Sequence, residues 1–191
     1  MNDTPNDTPN DTPNEWEALF GALDEVFTNV SSLLRDAERM LETHGYVIDH
    51  KTESSIGAER SGSIHSPTHW YPGWISRHFR LKADPTAPTV FICVLLHARA
   101  NDDFDALEQP MVSAGVLRPS EGASHALWMT KAWAWGKRRP ADGTRKLVEF
   151  KNGGSAEVFA RPLASMTDAS ALKRKIVGAL VELAKPKRVP R

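Results

Sequence analysis

The sequence predicts an α+β domain: a long amino-terminal helix, an antiparallel meander of about five to seven strands, and a carboxyl-terminal helix, with both helices on one sheet face. Three observations carry this. An unbroken apolar stripe runs from Trp16 to Leu41. The stretch from Tyr46 to Leu163 reads as short apolar runs separated by turn residues. A second amphipathic stretch closes the chain, with Leu172, Ile176, Ala179, Leu180 and Leu183 in helical spacing. Consecutive strands joined by short turns favour antiparallel pairing.

Residues 2–13 repeat Asn-Asp-Thr-Pro three times. Polar residues with a proline every fourth position neither bury a core nor sustain a helix, so 1–13 are expected to form a disordered tail. The domain is expected to occupy 14–185, followed by a short basic tail over 186–191.

The first helix places Trp16, Leu19, Phe20, Leu23, Val26, Phe27, Val30, Leu33, Leu34, Ala37, Met40 and Leu41 at three positions of every heptad. That is a broad buried face rather than a strict coiled-coil seam. Asn14 can cap the first turn, with Glu17 three residues on. Gly45 stands where a left-handed residue ends a helix. From Asn14 to His44 the helix would span roughly 45 Å, more than the ~30 Å of a small domain. It must lie diagonally across a broad sheet or pack against its copy, and a homodimer is expected.

Tyr46-Val47-Ile48 reads as a short strand, and 51–69 as a long Ser-, Gly- and His-rich loop. A strand through Ile75, Phe79 and Leu81 follows. Val90 to Leu96 is the most hydrophobic run and the expected central strand. Met111 to Leu117 is another strand, interrupted by Gly115. Ala126 to Trp135 alternates large and small residues. Lys146 to Lys151 and Ser155 to Leu163 form a hairpin around Asn152-Gly153-Gly154, expected to pair Phe150 with Ala156 and Val148 with Val158. Thr167 or Asp168 caps the last helix, and Pro186 follows its end.

Lysines and arginines number 24, as do aspartates and glutamates. The balance hides a polarity. Residues 1–130 carry nine Lys and Arg against nineteen Asp and Glu, and residues 131–191 carry fifteen against five. The carboxyl-terminal third is therefore expected to present a basic surface to nucleic acid, to an acidic protein, or to the acidic part of its own fold. Cys93, the single cysteine, excludes an intrachain disulfide and reads as a small core residue. The chain has no bilayer-spanning apolar stretch and no basic segment leading into an apolar one, so a cytoplasmic protein without membrane contact is expected.

Two aromatic clusters are candidate binding elements. Trp70, Tyr71 and Trp74, with Pro72 and Gly73 beside them, could line a pocket or seal the end of the sheet. Trp133 and Trp135 stand beside Lys131, Lys137, Arg138 and Arg139. Rings that stack bases next to cations that track phosphates suit single-stranded nucleic acid.

Glu149-Phe150-Lys151, with Asp142 upstream, resembles the PD-(D/E)xK nuclease pattern. The resemblance covers about ten residues and implies that Asp142 and Glu149 would hold a metal while Lys151 assists the attacking water, with Glu157 across the strand as a further acid. Those nucleases expect a helix soon after the lysine strand, whereas an Asn-Gly-Gly hairpin follows here. His65 and His69 are separated by Pro67, which prevents a helix from aligning them as zinc ligands. No phosphate-binding loop or dinucleotide fingerprint is present, and no cofactor is expected. The leading expectation is a non-enzymatic binding or regulatory module. A metal-dependent nuclease is the alternative.

Overall fold

A computed structural model of the chain describes residues 15–49, 57–58, 73–84, 86–96, 109–119, 143–149 and 154–185. The chain divides into two units, 1–32 and 33–191. The class is α+β, as the sequence predicts. Helix α1 covers Glu15–Glu42. Strands β1 to β7 cover Tyr46–Ile48, Gly57–Ala58, Trp74–Leu81, Thr89–Leu95, Met111–Pro119, Lys146–Glu149 and Gly154–Pro162. A 3-10 turn over Leu163–Ser165 leads to α2, Ala169–Leu172. A π-helical turn, Lys173–Val177, and then α3, Gly178–Ala184, follow without a break. Among the described residues no helix is long and apolar enough to cross a membrane.

The 28 residues of α1 span about 42 Å. Glu15 and Glu17 lie in its first turn and Arg39 in its last, each matched to the local helix dipole. Its end is the expected one. Gly45 has φ +83°, and its amide donates to the Glu42 carbonyl at 2.9 Å. The unit that ends at Ser32 exposes every described side chain of its helix up to Val26. Beyond that point Val30, Leu34, Ala37 and Leu41 are buried. Leu33 and Met40, at the stripe's edge, are half-buried.

The sheet is antiparallel throughout, in the order β1-β3-β4-β5-β7-β6, and β2 pairs with β3. It is not a simple meander, because β7 lies between β5 and β6. Part of the expected 51–69 loop pairs as a strand: Gly57 stands opposite Ser76 and Ala58 opposite Ile75. The alternating stretch from Ala126 to Trp135 lies outside the described residues. Strand β4 is buried along its whole length, which suits its unbroken apolar run.

The closing hairpin differs in register from the expectation. Val148 faces Ala156, and Lys146 faces Val158, so the pairing is shifted by two residues. Strand alternation has a period of two, so the shift leaves Val148 on the same sheet face as Ala156 and Val158.

Arg77 and Arg118 project from one sheet face, since Arg77, Ile92 and Ala114 are register partners and Arg118 shares the alternation of Ala114. Arg77 forms a partly buried ion pair with Glu38 of α1. Arg118 donates to the Leu183 carbonyl of α3 at 3.1 Å. Asp168 caps the last helix, accepting from the Ala171 amide at 2.7 Å. The helix buries Ala171, Leu172, Ile176, Val177, Leu180 and Leu183. Ala179 is half-buried.

Candidate functional site

The first candidate is the amino-terminal half of α1. Trp16, Leu19, Phe20, Leu23 and Val26 are all exposed there, Trp16 by 67% and Phe20 by 60%. A solvent-exposed run of five large apolar side chains on three turns of one helix marks an interaction surface. At about 100° per residue these side chains form one stripe. Carboxylates edge it on both sides. Glu17 and Asp24 lie seven residues apart along one edge, and Glu15 begins the other. Residues 15–34 contain four acids and no lysine or arginine.

The second candidate is the sheet face opposite Arg77. Cross-strand register places Ser76, Cys93 and Ser113 in one row. The Asp49 amide donates to the His78 carbonyl at 2.9 Å, which extends the β1–β3 pairing and sets Asp49 beside His78 on that face. Thr89 alternates with Phe91 and Cys93 and so shares it. Asp49, Ser76, His78, Thr89 and Ser113 are the buried polar residues among those described, and all five lie on this face. Directly opposed side chains in an antiparallel pair are ~4.5–5.5 Å apart at Cβ. An apolar cluster fills much of the same face, built on Phe91, Leu95, Met111, Leu117, Val148, Ala156, Val158 and Ala160, and Arg80 and Lys146 stand half-buried on it as well. The Ser113 hydroxyl is fully buried with no hydrogen-bond partner among the described residues. The His78 and Phe91 rings lie 6.1 Å apart, tilted by 32°.

A third feature is a groove of about 500 Å³ lined by Asp36, Arg39, Met40, Thr43, His44, Lys173, Val177 and Gly178. Its charge is partly spent internally, because Asp36 and Arg39 pair at 2.7 Å.

The residues singled out in the sequence are distributed as follows. Trp74 opens β3 opposite Leu95 and packs, half-buried, against the apolar cluster around Phe91. Trp70 and Tyr71 lie outside the described residues, as do Lys131, Trp133, Trp135, Lys137, Arg138 and Arg139. Of the nuclease-like set, Glu149 is exposed on β6 opposite Ser155. Asp142 and Lys151 lie outside the described residues. Glu157, on β7, sits 3.9 Å from Arg118. Among the described residues, no three His, Cys, Asp or Glu side chains are grouped so as to hold a metal ion. Several described cations are engaged within the chain: Lys175 donates to the Ser165 carbonyl at 2.9 Å, and Lys185 pairs with Glu182 at 2.5 Å.

The polar row is the feature that sequence reading missed. Its three members come from three strands, with Asp49 from a fourth segment beside them, and only cross-strand register brings them together. No family model matches the chain, and neither a curated protein nor a solved structure does.

Proposed function

We propose that the protein is a non-enzymatic binding module whose docking element is the amino-terminal half of α1. The observation that carries this reading is the exposed run Trp16, Leu19, Phe20, Leu23 and Val26. Such a stripe lays into an apolar groove or against another helix, read through anchors at helical spacing. The occupant is a copy of the chain, as the helix length suggests, or a helix of another protein. The test is a fluorescent heptad peptide with a leucine seam and glutamine edges, titrated by anisotropy. Saturable binding that is lost in Leu23→Asp supports the reading, and no binding at any concentration sinks it.

A second contact surface is carried by the charge polarity of the chain. Residues 131–191 hold fifteen Lys and Arg against five acids. Lys173 and Arg174 are exposed on the π-helical turn. A surface of this kind suits nucleic acid or an acidic protein. A gel-shift series at low and moderate salt tests the nucleic-acid version, since phosphate contacts weaken steeply with salt. No shift at low salt leaves an acidic protein as the partner.

A further inference from the structure

We propose that the exposed stripe of α1 takes a helix of another protein whose apolar seam is edged by lysine or arginine, rather than a second copy of this chain. The inference deepens the binding-module reading and rests on it.

Trp16, Phe20, Leu23 and Phe27 follow the alternating four- and three-residue spacing of a seam, and Leu19 and Val26 widen it on one side. On the other side one column recurs every seven residues: Glu17, Asp24, Ser31 and Glu38. At about 100° per residue that column lies about 40° beyond the seam, so whatever covers the seam must meet it.

The last member of the column already has its partner within the fold. Glu38 is ion-paired to Arg77, and both side chains are mostly buried. Arg77 stands among Ile75, Phe79, Val90, Ile92 and Val94, an apolar patch of a face that also carries Arg118 and Arg161 further along. Where this column is met, it is met by an apolar face with a guanidinium on it. Glu17 and Asp24 occupy the equivalent positions three and two heptads earlier.

A second copy fits poorly in either orientation. In an antiparallel pair this column faces its own copy, which sets Glu17 against Asp24 twice. In a parallel pair it faces the widened edge, which sets Asp24 against Leu19. Like charges across the interface select against the antiparallel pairing, and a carboxylate pressed against leucine selects against the parallel one. The four acids and absent cations of 15–34 also select against phosphate backbones and anionic lipid surfaces, both of which repel carboxylates.

The probe is the protein's own charge-reversed chain, carrying Glu17→Lys and Asp24→Lys. Both positions are exposed, so this chain should stay folded and melt within a few degrees of wild type, the difference being the helix-dipole match lost at Glu17. It presents the same seam edged by cations. Sedimentation velocity is run on the wild type, on the reversed chain and on their equimolar mixture at micromolar concentration and low salt. The expected result is a one-to-one pair in the mixture alone, about tenfold tighter than either chain with itself. It should weaken at high salt and vanish when the wild type carries Leu23→Asp. If the wild type alone pairs as tightly as the mixture, the occupant is a second copy and the proposal is overturned, while the binding module stands. If all three samples stay monomeric while the glutamine-edged peptide still binds, the charged edges select nothing and the proposal is likewise overturned. If that peptide also fails to bind, the binding-module reading falls too.

Discussion

The ring of Phe91 lies where a side chain on Gly115 would have to go. A β-carbon at Gly115 would fall 2.8 Å from Phe91 Cε1, 2.8 Å from Val158 Cγ1 and 2.6 Å from the Glu157 carbonyl oxygen. Gly115 and Phe91 are register partners in the middle of the sheet. The glycine in the middle of this buried strand is therefore a matter of space.

Gly115→Ala should destabilise the protein by about 1–3 kcal/mol, the usual range for overpacking a filled core. Urea unfolding measures it. Stability within error of wild type would mean that the β7 backbone and the Phe91 ring give way freely.

Leu41 and Leu19 belong to one stripe and should behave differently. Leu41 is fully buried and Leu19 is half-exposed. Leu41→Ala should cost about 2–5 kcal/mol. Leu19→Ala should stay within about 0.5 kcal/mol, as surface substitutions do. Equal losses would show that the amino-terminal part of the helix is covered in the free protein.

This split shows what the sequence could and could not convey. Helix α1 and its Gly45 end were legible because spacing and capping are local. Strand β4 was legible because an apolar run needs no partner to declare itself. The face of Val148 was legible and its register was not, since alternation is local whereas loop length sets the pairing. That the stripe leaves Trp16 to Val26 exposed was invisible, because an apolar pattern says a face can be covered and not by what. The row Ser76–Cys93–Ser113 needed two cross-strand registers, and no single segment encodes those.

The pair Glu38–Arg77 should matter more than Asp36–Arg39. Side-chain exposure is 20% and 15% in the first pair, and 37% and 72% in the second. Exposed pairs contribute about 0–1 kcal/mol. Removing one partner of a mostly buried pair strands the other charge and costs more. Glu38→Gln should therefore lower the melting temperature well beyond Asp36→Asn. The reverse order would place the Glu38 carboxylate in water.

Asp168 should give the fold part of its acid sensitivity. The Ala171 amide, donating to its carboxylate, is the main cause that holds its pKa below the usual range, helped by the Thr167 hydroxyl. A carboxyl whose folded value is depressed stabilises fully above the unfolded value of about 3.9. That contribution is lost as pH falls through the lower folded value. Asp168→Asn keeps an acceptor for the cap and removes the titration. Unfolding curves from about pH 6 to about pH 3 should fall less steeply for this variant than for wild type. Parallel curves would assign the acid sensitivity to other carboxylates.

The two sheet faces differ in kind: one carries the row of Ser76, Cys93 and Ser113 with His78 and Asp49, the other Ile92, Val94, Val112 and Val116 around Arg77. Inserting or deleting one residue within β3, β4 or β5 exchanges the faces of everything beyond it. Hydroxyls would then enter the apolar side, and Arg77 would leave Glu38. Two residues restore the alternation. The central strands should therefore accept length changes only in even steps, and related chains, when compared, should differ there by two residues or by none.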